Sequence, residues 1–244
     1  MSNAVIPYCG PAPEAGNIWT SWNFDPPLLV ALGVLLLGLP LVRAYRGAWL
    51  LGWAALVVAF VSPLCALTVA LFSARALHHL LIVTLAAPLL ALALPGLARR
   101  LPPGIALALT SIALILWHLP PVYDAAWHSP FVYWLLQGAL LLPAVAFWSG
   151  LWALARRDII AASGQLAGLA GLMGFIGAVL TFAPRVLFPQ HGLAPIGFGL
   201  DPLRDQQLAG LLMWAPGLLP LGLIGGLMLR GAWARASGAE RPGA

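Results

Sequence analysis

Apolar runs of roughly twenty residues recur along this chain, separated by short turns rich in arginine, proline and glycine. About 20 such residues in a helix cross the hydrocarbon core of a bilayer. A backbone in that core has no water to bond, so it must close its hydrogen bonds as a helix or a barrel. A barrel strand alternates apolar and polar residues over about ten positions, and the runs here do not alternate. The chain is therefore expected to be an all-α integral membrane protein. Seven spans fit, at residues 25–42, 48–72, 76–97, 104–119, 131–155, 165–183 and 206–230. The fourth is short and spans only where the bilayer thins or flanking residues join it. Charged residues make up 8% of the chain, against about 25% for a soluble domain, too few to coat a globule. The expected organisation is an extracytoplasmic tail over 1–24, a seven-transmembrane-helix bundle over 25–230 with a long outer loop at 184–205, and a cytoplasmic tail over 231–244.

Arginine supplies all the basic charge. Alternating spans put Arg43, Arg46, Arg99, Arg100, Arg156, Arg157, Arg230, Arg235 and Arg241 on one side, and Arg75, Arg185 and Arg204 on the other. Positive charge stays in the cytoplasm, so the N-terminus is expected outside and the C-terminus inside. Scattered in ones and twos at span ends, these arginines read as topology rather than as a nucleic-acid surface. The polar N-terminal stretch lacks the basic start and apolar core of a cleavable signal. Cys9 and Cys65 form no CxxC pair and indicate neither a disulfide framework nor a redox motif.

With that orientation all five histidines fall toward the outer face. His78 and His79 open the third span, His118 closes the fourth, and His128 and His191 lie in outer loops. Asp25, Asp124, Asp201 and Asp205 share that side. Neutral imidazole is the commonest metal ligand, and a soft thioether beside it favours copper over magnesium or calcium. His79, His118, Asp124 and His128 are candidate ligands, with His78 and Met213 as further ones. His78 and His79 cannot both face one ion directly, because helix neighbours point about 100° apart. A structural reading stands beside each. Interfacial histidines bond carbonyls or headgroups, and His191 reads as loop surface. Arg75 reads as an ion-paired residue with Asp124 or Asp205 as partner, and Asp205 as an N-cap of the last span. Pro63, Pro88, Pro143, Pro216 and Pro220 lie inside spans and are expected to kink them. The nucleotide, hydrolase and metalloprotease motifs GxxxxGK[ST], GxSxG and HExxH are missing, so catalysis is not indicated.

Four stretches, "WNFDPPLLVALGVLLLG", "LHHLLIVTLAAPLLALALP", "LWHLPPVYDAAWHSP" and "DPLRDQQLAGLLMWAPG", together resemble the CtaG assembly factors of caa-type cytochrome c oxidase, in that family's order and from about Trp22 to Arg230. The resemblance implies a seven-span protein of the bacterial cytoplasmic membrane. It also implies a role in maturing a haem–copper oxidase, with copper supply to the catalytic subunit as the expected task. His79 matches the second histidine of a family pattern that reads roughly His-x-x-Gln-His; Arg75 replaces the first, and His78 stands at the glutamine. His118, Tyr123 and Asp124 match a Trp-His-x-Pro motif and the residues after it. Asp205, Gln206, Met213 and Trp214 match the last motif. Tyr133, Leu136 and Gln137 replace the polar residues of a His-x-x-Glu-His pattern in the fifth span. Two readings follow for a non-enzymatic assembly factor: copper held at the outer face by His79, His118 and Asp124, or metal-free docking of the nascent oxidase subunit. A third is haem binding between His79 and His118.

Overall fold

A computed structural model describes residues 6–42, 45–94 and 101–238. Arg43, Arg99, Arg100, Arg241 and Glu240, with the end of the expected third span at 95–97, lie outside them. The described chain is helical, without a strand. Four helices are long and apolar enough to cross a membrane, and six if each of two bent pairs is one span. Among the described residues the count is therefore four to six, and the seven expected spans are not confirmed. The first expected span is a helix of 12 residues, Pro26–Leu37, about 18 Å long and short of a bilayer core.

Helix starts follow from local chemistry. Asp25 accepts from the Leu28 amide to open α1 (Pro26–Leu37), with prolines in its first turn, where no N–H is required. The second expected span is two helices, α2 (Arg46–Phe60) and α3 (Pro63–Ala70), bent by 44°. Ser62 caps the second, whose first residue is Pro63. The third expected span is continuous, from α4 (Phe72–Leu80) through a π-helical stretch at Leu81–Ala86 to α5 (Ala87–Ala93). The wide turn has a sequence cause. The Ala87 amide reaches back to Ile82, so the next bond in that register would need an N–H from Pro88, which has none. The Val83 carbonyl left over accepts the indole N–H of Trp148 at 2.7 Å.

Another bent pair follows: α6 (Pro103–Trp117) and α7 (Pro120–His128), at 78°. The stretch "PPVYDAAWHSP" is thus a nine-residue helix and not a short turn. Next come α8 (Pro130–Leu154) and α9 (Ile159–Phe182), capped by Ser129 and Asp158. The 184–205 loop contains short 3-10 turns at Pro189–His191 and Ala194–Phe198. It ends before 205, because Asp201 caps α10 (Pro202–Trp214) through the Leu203 and Arg204 amides. Finally comes α11 (Leu218–Ala236).

The Phe72–Ala93 span is the buried axis of the bundle, packed by α2, α8 and α10. α9 and α10 cross at two glycines, where a Cβ on Gly177 would meet the Gly210 carbonyl at 2.7 Å and one on Gly210 would meet the Thr181 amide at 2.6 Å. At one end of the bundle, the N-terminal segment is held down by Asn23, which bonds the Val61 and Phe60 carbonyls. Cys9 and Cys65 are joined there in a disulfide that closes a 56-residue separation, against the expectation of no disulfide. At the opposite end a cavity of ≈ 470 Å³ is lined by Tyr45, Leu92, Trp152, Arg156 and Arg235.

Candidate functional site

The site is built on α4. Arg75, His78 and His79 stand three and four residues apart, which puts the arginine over both histidines on one side of the helix. All three are buried, Arg75 with only 4% of its surface exposed. An α4 start in the bundle interior requires acceptors for its free N–H groups, and Leu71 before it is extended and offers no side-chain cap. Asp205 on α10 supplies them. Its carboxylate accepts from the Phe72 amide at 2.6 Å and the Ser73 amide at 3.2 Å, and also takes the Ser73 hydroxyl. Asp205 therefore caps α4 across the bundle and not its own helix, whose cap is Asp201.

The walls are aromatic. The Arg75 guanidinium lies 5.6 Å from the Trp117 ring centre and 5.5 Å from that of Tyr133, within the range of cation–π attraction. His79 packs on Trp117 at 4.7 Å and meets His118 edge to face at 5.9 Å. His78 meets His79 at 5.7 Å and Phe60 at 5.0 Å. Both nitrogens of His78 and of His79, the Nε and Nη1 of Arg75, and both amide atoms of Gln137 are buried with no hydrogen-bond partner. Arg75 has one long contact, Nη2 to the Thr68 carbonyl at 3.5 Å. Its expected ion pair is not formed. Among the described residues the ion pairs are His128–Asp124 and Arg204–Asp201, neither involving Arg75.

The roof is the loop that carries His191. That residue is buried rather than on the loop surface. Its Nδ1 lies 3.0 Å from the Val69 carbonyl and its Nε2 2.8 Å from the Tyr123 hydroxyl. The carbonyl must accept, so Nδ1 carries the proton and Nε2 accepts from the phenol. Burial, and secondarily the Arg75 charge, lowers the His191 imidazole to about 3. Phe72 stacks on Phe188 at 4.1 Å beneath this lid. On the flank, Tyr8 donates to Asp25 at 2.7 Å and stacks on Tyr133 at 4.9 Å; burial and that hydrogen bond push the Tyr8 phenol up.

The structure thus brings His78, His79 and His118 into one row and leaves the other candidate ligands elsewhere. His118 is half-buried and commits Nδ1 to the Leu114 carbonyl at 2.7 Å. Asp124 and His128 are exposed on α7, where Asp124 accepts from Gln190 at 2.9 Å and the His128 Nδ1 lies 3.5 Å from its carboxylate. Met213 is buried in α10. Among the described residues no three His, Cys, Asp or Glu side chains converge as a ligand set. The donors do not form a ready site for a cation: two or three imidazoles stand in a row with a fixed positive charge one helical turn away. Sequence reasoning missed His191 and the Cys9–Cys65 pair, which are brought in by contacts 122 and 56 residues long and have no local signature.

Among family models, that of the cytochrome c oxidase caa3 assembly factor matches residues 31–236. No curated protein and no solved structure matches the chain.

Proposed function

The chain belongs to the cytochrome c oxidase caa3 assembly factor family, and from that premise we propose that it matures a bacterial haem–copper oxidase by docking the nascent catalytic subunit. The docking end is the one that carries the histidines, read as facing outside the cytoplasmic membrane. The carrying observation is Arg75, buried among the histidines without a carboxylate. A fixed cation in a poorly solvated site opposes a divalent metal. The same end is held rigid by the disulfide and by Asn23, and it exposes Trp19, Trp22, Phe24 and Phe131, the residue types that anchor protein contacts and interfaces. A disulfide there agrees with an oxidising outer compartment. The role is non-catalytic. In cells lacking the chain, docking predicts that added copper leaves oxidase activity low; in cells that contain it, the chain should co-purify with the oxidase subunit free of stoichiometric copper. Restoration by copper alone would reject docking.

A second reading, copper handling by His79 with His118, is favoured by the unpartnered His79 nitrogens and the 5.9 Å between the two rings. His79→Ala combined with His118→Ala would then lose copper that the unmodified chain retains.

A further inference from the structure

Arginine stays protonated in proteins, so the Arg75 charge cannot be relieved by losing a proton. Taking such an ion out of water costs several kcal/mol unless it is compensated. The compensation available is incomplete. Trp117 and Tyr133 each offer only a cation–π attraction, and the Thr68 carbonyl is at the limit of hydrogen-bond reach. Nε and Nη1 make no hydrogen bond of good geometry, although the Tyr123 and Tyr133 hydroxyls stand near the guanidinium. Among the described residues at this end, Glu14 is exposed on the N-terminal segment and the aspartates are engaged elsewhere. Asp25 accepts from Tyr8 and the Leu28 amide, Asp124 from Gln190, and Asp201 caps α10 and pairs with Arg204. Asp205, the one buried carboxylate among the described residues, spends both oxygens on the start of α4. Beside the guanidinium lies a cavity of ≈ 10 Å³, lined by Tyr8, Arg75, Trp117, Tyr123, Trp127 and Tyr133, which has room for one water-sized species.

We propose that this cavity is a binding site for one small monovalent anion of halide size, held by the Nε and Nη1 donors of Arg75 and shielded by the tyrosine and tryptophan walls. The anion supplies the missing counter-charge, and the small volume favours a monatomic ion over phosphate or carboxylate ligands. The rings that surround it present their N–H, O–H and positively polarised edges to an anion as readily as their faces to the cation. The N-terminal segment, through Tyr8, forms part of the wall, so the anion enters from the end of the bundle where that segment lies. The site differs from the histidine row in its ligand and in its donors; with the anion bound, Arg75 no longer repels a metal there, and docking then rests on the lack of a converging ligand set among the described residues.

Equilibrium dialysis of the purified full-length chain against radiolabelled chloride, with sodium gluconate holding ionic strength constant, tests this. One saturable chloride per chain, displaced by bromide, is expected. Arg75→Gln should weaken it at least tenfold, Arg75→Lys less, and the exposed Arg204→Gln not at all. At ten times Kd, chloride should raise Tm by ~3–6 °C over gluconate. Should Arg75→Gln fail to fold, anomalous scattering from bromide-soaked crystals of the unmodified chain decides the matter, since a bromide beside the guanidinium supports the site. No saturable chloride uptake by the unmodified chain, no bromide at Arg75, or undiminished uptake by folded Arg75→Gln overturns it.

Discussion

The spans Phe72–Ala93 and Pro202–Ala236 are both apolar enough to cross a bilayer, yet 72% of the first span's most apolar window is buried against 22% of the second's. The first is wrapped by protein and carries Arg75, His78 and His79 on its inner surfaces. The second divides. Its opening turns, α10, are locked against α4 and α9, while α11 shows Leu219, Leu223, Leu227 and Trp233 outward. Apolarity alone does not tell a helix that faces lipid from one that faces protein. The buried helix can hold ionisable residues because neighbouring helices, and not lipid, surround them.

Glycines break this comparison most sharply. A Cβ on Gly210 would enter the Gly177 carbonyl and the Thr181 backbone, while one on Gly222 in α11 meets nothing within 4 Å. Gly210→Ala should cost about 3 kcal/mol, the upper range for overpacking, because backbone and not a flexible side chain must move. Gly222→Ala should gain up to about 1 kcal/mol from helix propensity. Thermal unfolding of the two variants in detergent compares them directly. Equal Tm shifts would mean that α10 and α11 are packed alike.

Next in size is the link between the two spans. Asp205→Ala removes the acceptors of the Phe72 and Ser73 amides and should cost ~2–3 kcal/mol, the range for stranding buried donors of a charged partner. Hydrogen exchange at those two amides should speed up, with the Gly177–Gly210 crossing unaffected. Exchange unchanged at Phe72 would show that α4 does not depend on α10 for its start.

How far the sequence carried this picture depends on the range of the cause. Asp25, Ser129 and Asp158 open helices next to themselves, and Pro88, lacking an N–H, ends the wide turn's register of bonds five residues long, so both kinds of feature are written locally. Alternation of spans is enough to bring His79 and His118 to the same end. It does not say that His79 packs on Trp117, or that α7 bends away by 78° and carries Asp124 and His128 to the surface. Asp205 reads locally as the cap of its own helix. Asp201, four residues earlier, takes that role and frees Asp205 to cap a helix more than 130 positions away. The Cys9–Cys65 pair and the seat of His191 depend on the same kind of distant closure, which no spacing in the chain reports.

The His191 lid gives a smaller effect that depends on pH. Its imidazole sits at about 3 in the folded chain and near 6.5 when unfolded. Between those values the unfolded state binds the extra proton, so stability rises with pH across the window and is lost as pH falls below 6.5. At pH 5 the seat of the loop should weaken by ~2 kcal/mol. Protease cleavage within 184–200 should then accelerate on acidification, and His191→Gln should flatten that dependence. The same acid sensitivity in His191→Gln would assign it to another group.

The smallest expected change tests the exposed side of the comparison. Leu223 is 66% exposed on α11, and in a bilayer that surface meets acyl chains as apolar as itself. Trimming it to alanine therefore removes no hydrophobic driving force between helices. Leu223→Ala should shift stability by less than ~0.5 kcal/mol in lipid nanodiscs, while oxidase maturation stays at the level of the unmodified chain. A large loss of maturation with stability unchanged would reveal α11 as a contact surface for the oxidase subunit. The docking end would then extend from the histidine-bearing rim down the lipid-facing side of the bundle.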